Sequence, residues 1–214
     1  MRAFAFICFA VGAPDAWALL DARRVLRRSN RLLSTANFGQ LKVTANDAAY
    51  AAKFGSSVAI DGDTVVIGAT GAGTGGAVYV LRTSDGGATY DQVAKLMASD
   101  GALDDRFSAF LAIEGGTVVI GAPRDDDAGT NSGSAYVFRT NDGWATYSFV
   151  AKLTADDAAA GDYFGKEVEI EDGVVAIGAC APPGIEQSGG GAVYVFRASD
   201  DGLTYGQVAK LTAA

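Results

Sequence analysis

Three stretches of this chain repeat the same words in the same order. Ile67-Gly68-Ala69-Thr70, Ile120-Gly121-Ala122-Pro123 and Ile177-Gly178-Ala179-Cys180 are one such word, and the three isoleucines lie 53 and 57 residues apart. Around each are a Phe-Gly or a near match, a Tyr-centred apolar run ending in Arg, and Val-Ala-Lys-Leu. Self-similarity at a period of about 50 residues marks a propeller or solenoid array, because one such unit buries its apolar face only by stacking on the next.

Each unit reads as four short strands. In the first, Ser57 to Ile60 is strand one, Asp61-Gly62 a tight hairpin, and Thr64 to Gly68 strand two. Both central residues of such a hairpin take positive φ, which Asp-Gly tolerates. A glycine-rich loop from Thr70 to Gly76 leads to strand three, Ala77 to Arg82. The turn Ser84-Asp85-Gly86-Gly87 leads to strand four, Tyr90 to Met97. Strand two is almost wholly apolar, as in Val118-Val119-Ile120, which requires a sheet covered on both faces. Helix is disfavoured, because the runs are short and β-branched. Tyr79, Tyr136 and Tyr194 correspond, as do Arg82, Arg139 and Arg197, and Lys95, Lys152 and Lys210. One per blade at equivalent places, these residues read as structural.

The pattern resembles the FG-GAP repeat, the blade unit of integrin alpha-subunit propellers. The signature residues are Phe54, Gly55, Gly68 and Ala69 in the first unit, then Phe107, Gly121, Ala122 and Pro123 in the second. In the third they are Phe164, Gly165, Gly178 and Ala179. The middle unit has Ser108 in place of the glycine, and only it keeps Gly-Ala-Pro. The resemblance implies an all-β, partial β-propeller of four-stranded antiparallel blades, cut from a ring of about seven. It also implies a role in binding other macromolecules. The integrin-like version carries a calcium loop between strands one and two. Here that link is Asp61-Gly62-Asp63, Glu114-Gly115-Gly116 or Glu171-Asp172-Gly173. Calcium takes about six to eight oxygens, which a tight hairpin does not supply, so no calcium and no other cofactor is expected.

A second likeness is local. Thr83 to Tyr90 resembles the Asp-box hairpin of sialidase-type propellers. Asp200, Gly202, Thr204 and Tyr205 repeat part of it, and Trp144 interrupts it in the middle unit. Asp and Thr side chains bonding turn backbone account for it without an activity.

Composition narrows function. The chain has no histidine, which excludes His-based acid–base catalysis, Ser-His-Asp triads and His metal sites. Cys8 and Cys180 form no metal-spaced motif. Net charge is −8, made of +4 over residues 1–40 and −12 over the rest. An acidic array is a poor nucleic-acid surface, so no nucleic-acid partner is expected. No run reaches the ~20 apolar residues of a membrane span.

The N-terminus supports two readings. Met1-Arg2, the apolar stretch Ala3 to Ala13 and Ala16-Trp17-Ala18 resemble a secretory signal, with a targeting segment over residues 1–37. Gly12-Ala13-Pro14-Asp15, Val25-Leu26-Arg27 and Lys42-Val43-Thr44-Ala45-Asn46-Asp47 instead spell repeat words in register. The preferred division is a degenerate part-repeat at 1–47, followed by units at 48–105, 106–162 and 163–214.

The most polar loop runs from Arg124-Asp125-Asp126-Asp127 to Asn131. Alternation in extended chain would let Asp125 and Asp127 converge on a cation but not Asp126. They are the weak metal candidates against an ordinary solvated loop. The pairs Asp104-Asp105 and Asp156-Asp157 read as turn-bonding residues between blades. The functional expectation is a non-catalytic module, extracellular or at the cell surface, presenting inter-strand loops to a protein or glycan. A sialidase-type carbohydrate-active enzyme and a structural fragment of a longer propeller are the alternatives. Open blade faces would make the chain self-associate.

Overall fold

The computed structural model describes residues 41–213 apart from 48, 50, 182–190 and 200. The Phe-Gly words open this architecture. Lys53, Arg106 and Tyr163, each just before the Phe, all take φ of 54–57°. The residue after the Phe is also left-handed: Gly55 at 92°, Ser108 at 77° and Gly165 at 89°. Two positive-φ residues around a phenylalanine form a corner that turns the chain from one blade into the next. Glycine adopts it without cost, whereas Ser108 is a strained substitute. Ser108 is held by its hydroxyl, which accepts a bond from Ala69 N at 3.1 Å.

From each corner the chain runs through four antiparallel strands. The first blade is β1 (Phe54–Asp61), β2 (Thr64–Ala69), β3 (Ala77–Arg82) and β4 (Asp91–Leu96). The second is β5 (Phe110–Glu114), β6 (Thr117–Ala122), β7 (Ser134–Arg139) and β8 (Ser148–Leu153). The third is β9 (Phe164–Glu171), β10 (Val174–Ala179), β11 (Ala192–Ala198) and β12 (Tyr205–Thr212). Each sheet keeps sequence order, with the fourth strand at its edge, and the described residues contain no helix. The first strand begins three residues earlier than the alternation predicts. Phe54 still pairs with Ala69, across a bulge that absorbs the left-handed Gly55.

Alternation gives each blade two apolar faces. Val118, Ile120, Tyr136 and Phe138 pack back on Val66, Val78, Val80 and Leu96 of the first blade. Val119, Ala135, Val137 and Leu153 pack forward on Val168, Val175, Ile177 and Phe196 of the third. A third cluster places Val43, Ala45 and Ala52 against Ile67, Tyr79 and Leu81. The blades meet through their inner strands. β5 lies against β1 and β2, and β9 against β5 and β6.

The Gly-Ala word makes that approach possible. A Cβ on Gly121 would stand 2.0 Å from the Gly165 carbonyl oxygen, and one on Gly68 2.5 Å from that of Ser108. Gly76 and Gly133 border the same contacts, where a Cβ would meet Phe107 O at 2.3 Å and Phe164 O at 2.1 Å. Each Phe-Gly corner is therefore a plug, and the glycine pair of the blade before it is a socket.

Candidate functional site: a clasp in each blade

The corner phenylalanine also builds the polar feature common to the blades. Phe54, Phe107 and Phe164 pack edge-on against Tyr79, Tyr136 and Tyr194, at ring distances of 5.4, 5.2 and 5.4 Å. Beside each tyrosine, one strand over, is the repeated lysine: Tyr79 pairs with Lys95, Tyr136 with Lys152 and Tyr194 with Lys210. Each ammonium lies 5.1–5.3 Å from its ring centroid. An aspartate from the segment entering the blade completes the group. Asp47 accepts from Tyr79 Oη at 2.8 Å and from Lys95. Asp100 accepts from Tyr136 at 2.9 Å and Lys152 at 2.8 Å. Asp157 accepts from Tyr194 at 2.9 Å and from Lys210.

Each Lys-Leu-x-Ala-x-Asp segment thus ends one blade with its lysine and clasps the next with its aspartate. The lysines and tyrosines are visible in the repeat as equivalent residues. The aspartate's role was missed, although its constant distance from the lysine was a usable signal. Asp105 behaves as expected, accepting from Ala102 N at 2.6 Å in the turn. Asp157 does not, because its carboxylate reaches Lys210 instead of turn backbone.

The middle blade is the elaborated one. Asp125 and Asp127 do converge, and on Lys152, whose ammonium also meets Asp100. Asp126 points elsewhere and accepts from Asn131 N at 2.7 Å. Asp125 is 3% exposed and also receives a bond from Ser134 Oγ at 3.0 Å, and at 2.8 Å it shares the single Tyr136 hydroxyl proton with Asp100. Burial alone would pull Lys152 down, but hydrogen bonds to Asp100, Asp127 and Asp125 override it and hold the lysine above its ordinary value. Burial would raise Asp125 likewise, and Lys152 and Tyr136 hold it below the usual carboxylate range. Burial raises Tyr136, with Lys152 opposing and Asp125 reinforcing. The arrangement is an ion-pair cluster in which a lysine supplies the cation.

The strand three–four turns form a second repeated set. Asp85 accepts from Ala88 N, Thr89 N and Thr89 Oγ1, which hold it far below its ordinary value. Asp142 makes the same bonds to Ala145 and Thr146. Trp144 therefore leaves the turn intact. It takes the left-handed place of Gly87, with φ of 77° against 98°, and its N–H donates to Thr140 Oγ1 as that of Gly87 donates to Thr83 Oγ1. Its ring carries the Arg82 guanidinium, 5.0 Å from the centroid. Arg139 donates to the Asp201 carbonyl at 2.9 Å. Both arginines tie one blade's rim to the turn of the next.

The FG-GAP repeat family model matches residues 39–81, 90–138 and 147–196, each segment covering the first three strands of a blade and the second and third opening on the fourth strand of the blade before. The chain belongs to the FG-GAP repeat family. No curated protein matches it. Among solved structures, the crystal structure of Saccharomyces cerevisiae Sqt1 is similar, at 11% identity and a TM-score of 0.47. That likeness covers 77% of this chain and 36% of Sqt1. The family match and the three four-stranded sheets, taken together, give the propeller-type framework on which function has to be read.

Proposed function

We propose that this chain is a non-catalytic binding module, secreted or at the cell surface, that presents its inter-strand loops to a protein or glycan partner. The observation that carries this reading is how the loop after β6 is held. Its ends are fixed by Asp125, which bonds Ser134, Tyr136 and Lys152, and by Asn131 and Ser132 carbonyls that receive the Tyr163 and Phe164 N–H groups at 3.0 Å. Its middle, Asp126 to Ala128, is exposed. An exposed polar tip on fixed ends is the arrangement binding loops use. Against catalysis, the repeated lysines Lys95, Lys152 and Lys210 are paired with aspartates, and Arg82 and Arg139 are engaged at separate rims instead of converging. The secretory segment suggested for residues 1–37 lies outside the described residues.

The test is a glycan array and a surface-protein capture with the full chain, beside turnover of a fluorogenic sialoside. Binding is expected without turnover, and Arg124→Ala with Asp126→Ala should abolish it with at most a small fall in Tm, from the lost Asp126–Asn131 bond. Sialoside hydrolysis would overturn the reading in favour of the carbohydrate-active alternative.

A further inference from the structure

Among the described residues there are three phenylalanine corners, at Phe54-Gly55, Phe107-Ser108 and Phe164-Gly165, and three glycine sockets, and two of each meet one another. Phe107–Ser108 enters Gly68 and Gly76, and Phe164–Gly165 enters Gly121 and Gly133. The third socket, Gly178 and Gly191, keeps the shape. Gly191 has φ of 78°, close to the 81° of Gly133. A Cβ on Gly178 would meet only its own strand partner, the Glu167 Cβ, at 3.2 Å. The unused plug is in β1: a Cβ on Gly55 would touch nothing within 4 Å.

Burial agrees at both ends. Leu211 is 55% exposed, whereas its equivalents Leu96 and Leu153 are 4% exposed. Val58 is 59% exposed, whereas its third-blade equivalent Val168 is 4%. Among the described residues, the segment containing Val43, Ala45 and Ala52 packs on Ile67, Tyr79 and Leu81 and not on Val58 or Ile60 of β1, which are exposed.

One difference separates the free socket from the filled ones. Facing forward from strand one are Ser57 and Ala59 in the first blade, and Phe110 and Ala112 in the second. The third blade has Glu167 and Glu169 there, ahead of Glu171. An incoming β1, seated as β9 seats on β5, would bring Val58 and Ile60 over these two carboxylates. We propose that the forward face of the third blade docks β1 of a second copy of this chain, head to tail, and that Glu167 and Glu169 gate the contact, admitting it when protonated.

The charges around the gate are few. Lys166 turns its ammonium to the Cys180 carbonyl at 3.0 Å. β10, paired with β9, carries no titratable side chain, and Arg197 lies across the same face, opposite Val174. Glu114 of β5 and Arg139 of β7 belong to the second blade, behind the sheet. On the incoming strand, Lys53 precedes Phe54 and supplies a cation at the rim. Both carboxylates are exposed in the single chain; partial desolvation and then neighbouring Glu169 raise Glu167 against Lys166, and partial desolvation and then Glu171 raise Glu169. Docking would bury both further, so the complex binds more protons than the free chains and tightens as pH falls. A head-to-tail contact either closes into a ring or runs on as a filament.

The test is sedimentation of the full chain at roughly ten micromolar. Association is expected at about pH 5 and little at neutral pH. Glu167→Ser with Glu169→Ala, which installs the first blade's own residues, should tighten association at neutral pH about tenfold or more. On that background, Gly178→Ala blocks the socket and Val58→Lys blocks the plug. Each should leave a folded monomer, and an equimolar mixture of the two should give a one-to-one dimer that grows no further. Association that survives both blocks, a mixture that stays monomeric, or a gate variant no stickier than the parent would overturn the proposal.

Discussion

The three clasps share one chemistry at different depths, and depth sets their energetic weight. Around Lys95 and Lys210 the aspartates are about half exposed, and exposed pairs contribute little. Around Lys152 the carboxylate of Asp125 is 5% exposed, so removing the cation strands a buried charge. Lys152→Met should therefore destabilise by about 3 kcal/mol or more in denaturant melts, and Lys95→Met by far less. An equal effect of the two would show that burial does not set the energetics. Titration follows the same groups. Asp47 and Asp157 are held below the ordinary carboxylate value by their lysines and then their tyrosines. Asp100 and Asp125 are held there despite burial. Depressed acids stabilise fully above their unfolded value, and that stabilisation is lost as pH falls through the folded values, so collapse is expected below about pH 4. Asp105 is buried and raised chiefly by that burial, so ionising it costs stability that acidification restores, and the exposed Glu167 and Glu169 are raised in the same direction. Melting temperature should rise slightly from neutral to about pH 5 before it falls. A monotonic decline from neutral pH would contradict that sign.

At the scale of the strand and the corner, the sequence is readable wherever a rule acts locally. β3 matches its predicted span, because alternation and flanking turns define it without help from other blades. β1 reads short in the sequence, because Phe54 joins the strand only through a bulge that absorbs the left-handed Gly55. The Gly-Ala word was legible as a signature but not as a socket. The carbonyl that excludes a Cβ at Gly121 comes from Gly165, and no local rule brings them together. The expectation that Trp144 interrupts the Asp-box turn failed for a related reason. The turn needs a left-handed residue more than it needs glycine, and stacking with Arg82 helps hold the tryptophan there. Gly121→Ala and Gly178→Ala separate signature from socket. The first forces the second and third blades apart and should cost at least about 1–3 kcal/mol, while the second should cost little in the isolated chain. Equal losses would mean that the glycines serve their own strands, not the junction.

For the whole molecule, the described residues form a stack of three blades joined by plug, socket and clasp. The ligand of the loop face was not legible in the sequence, because loops on a repeated scaffold vary without a rule. Calcium is expected to leave the melting temperature nearly unchanged, since Lys152 stands between the aspartates that would take it. A site of micromolar affinity at millimolar calcium would instead add about 4 kcal/mol, and loss of that gain in Asp125→Ala would identify the loop. The central claim is that Phe-Gly corners seated on glycines turn separate sheets into one structure. Amide hydrogen exchange on the parent chain and on Gly121→Ala tests it most directly. In the parent, β2, β3, β6, β7, β10 and β11 should be protected, with the edge strands β4, β8 and β12 exchanging faster. In the variant, protection should drop across β9 to β12 while β1 to β4 keep theirs. Uniform loss throughout the chain, or no loss in the third blade, would contradict the claim.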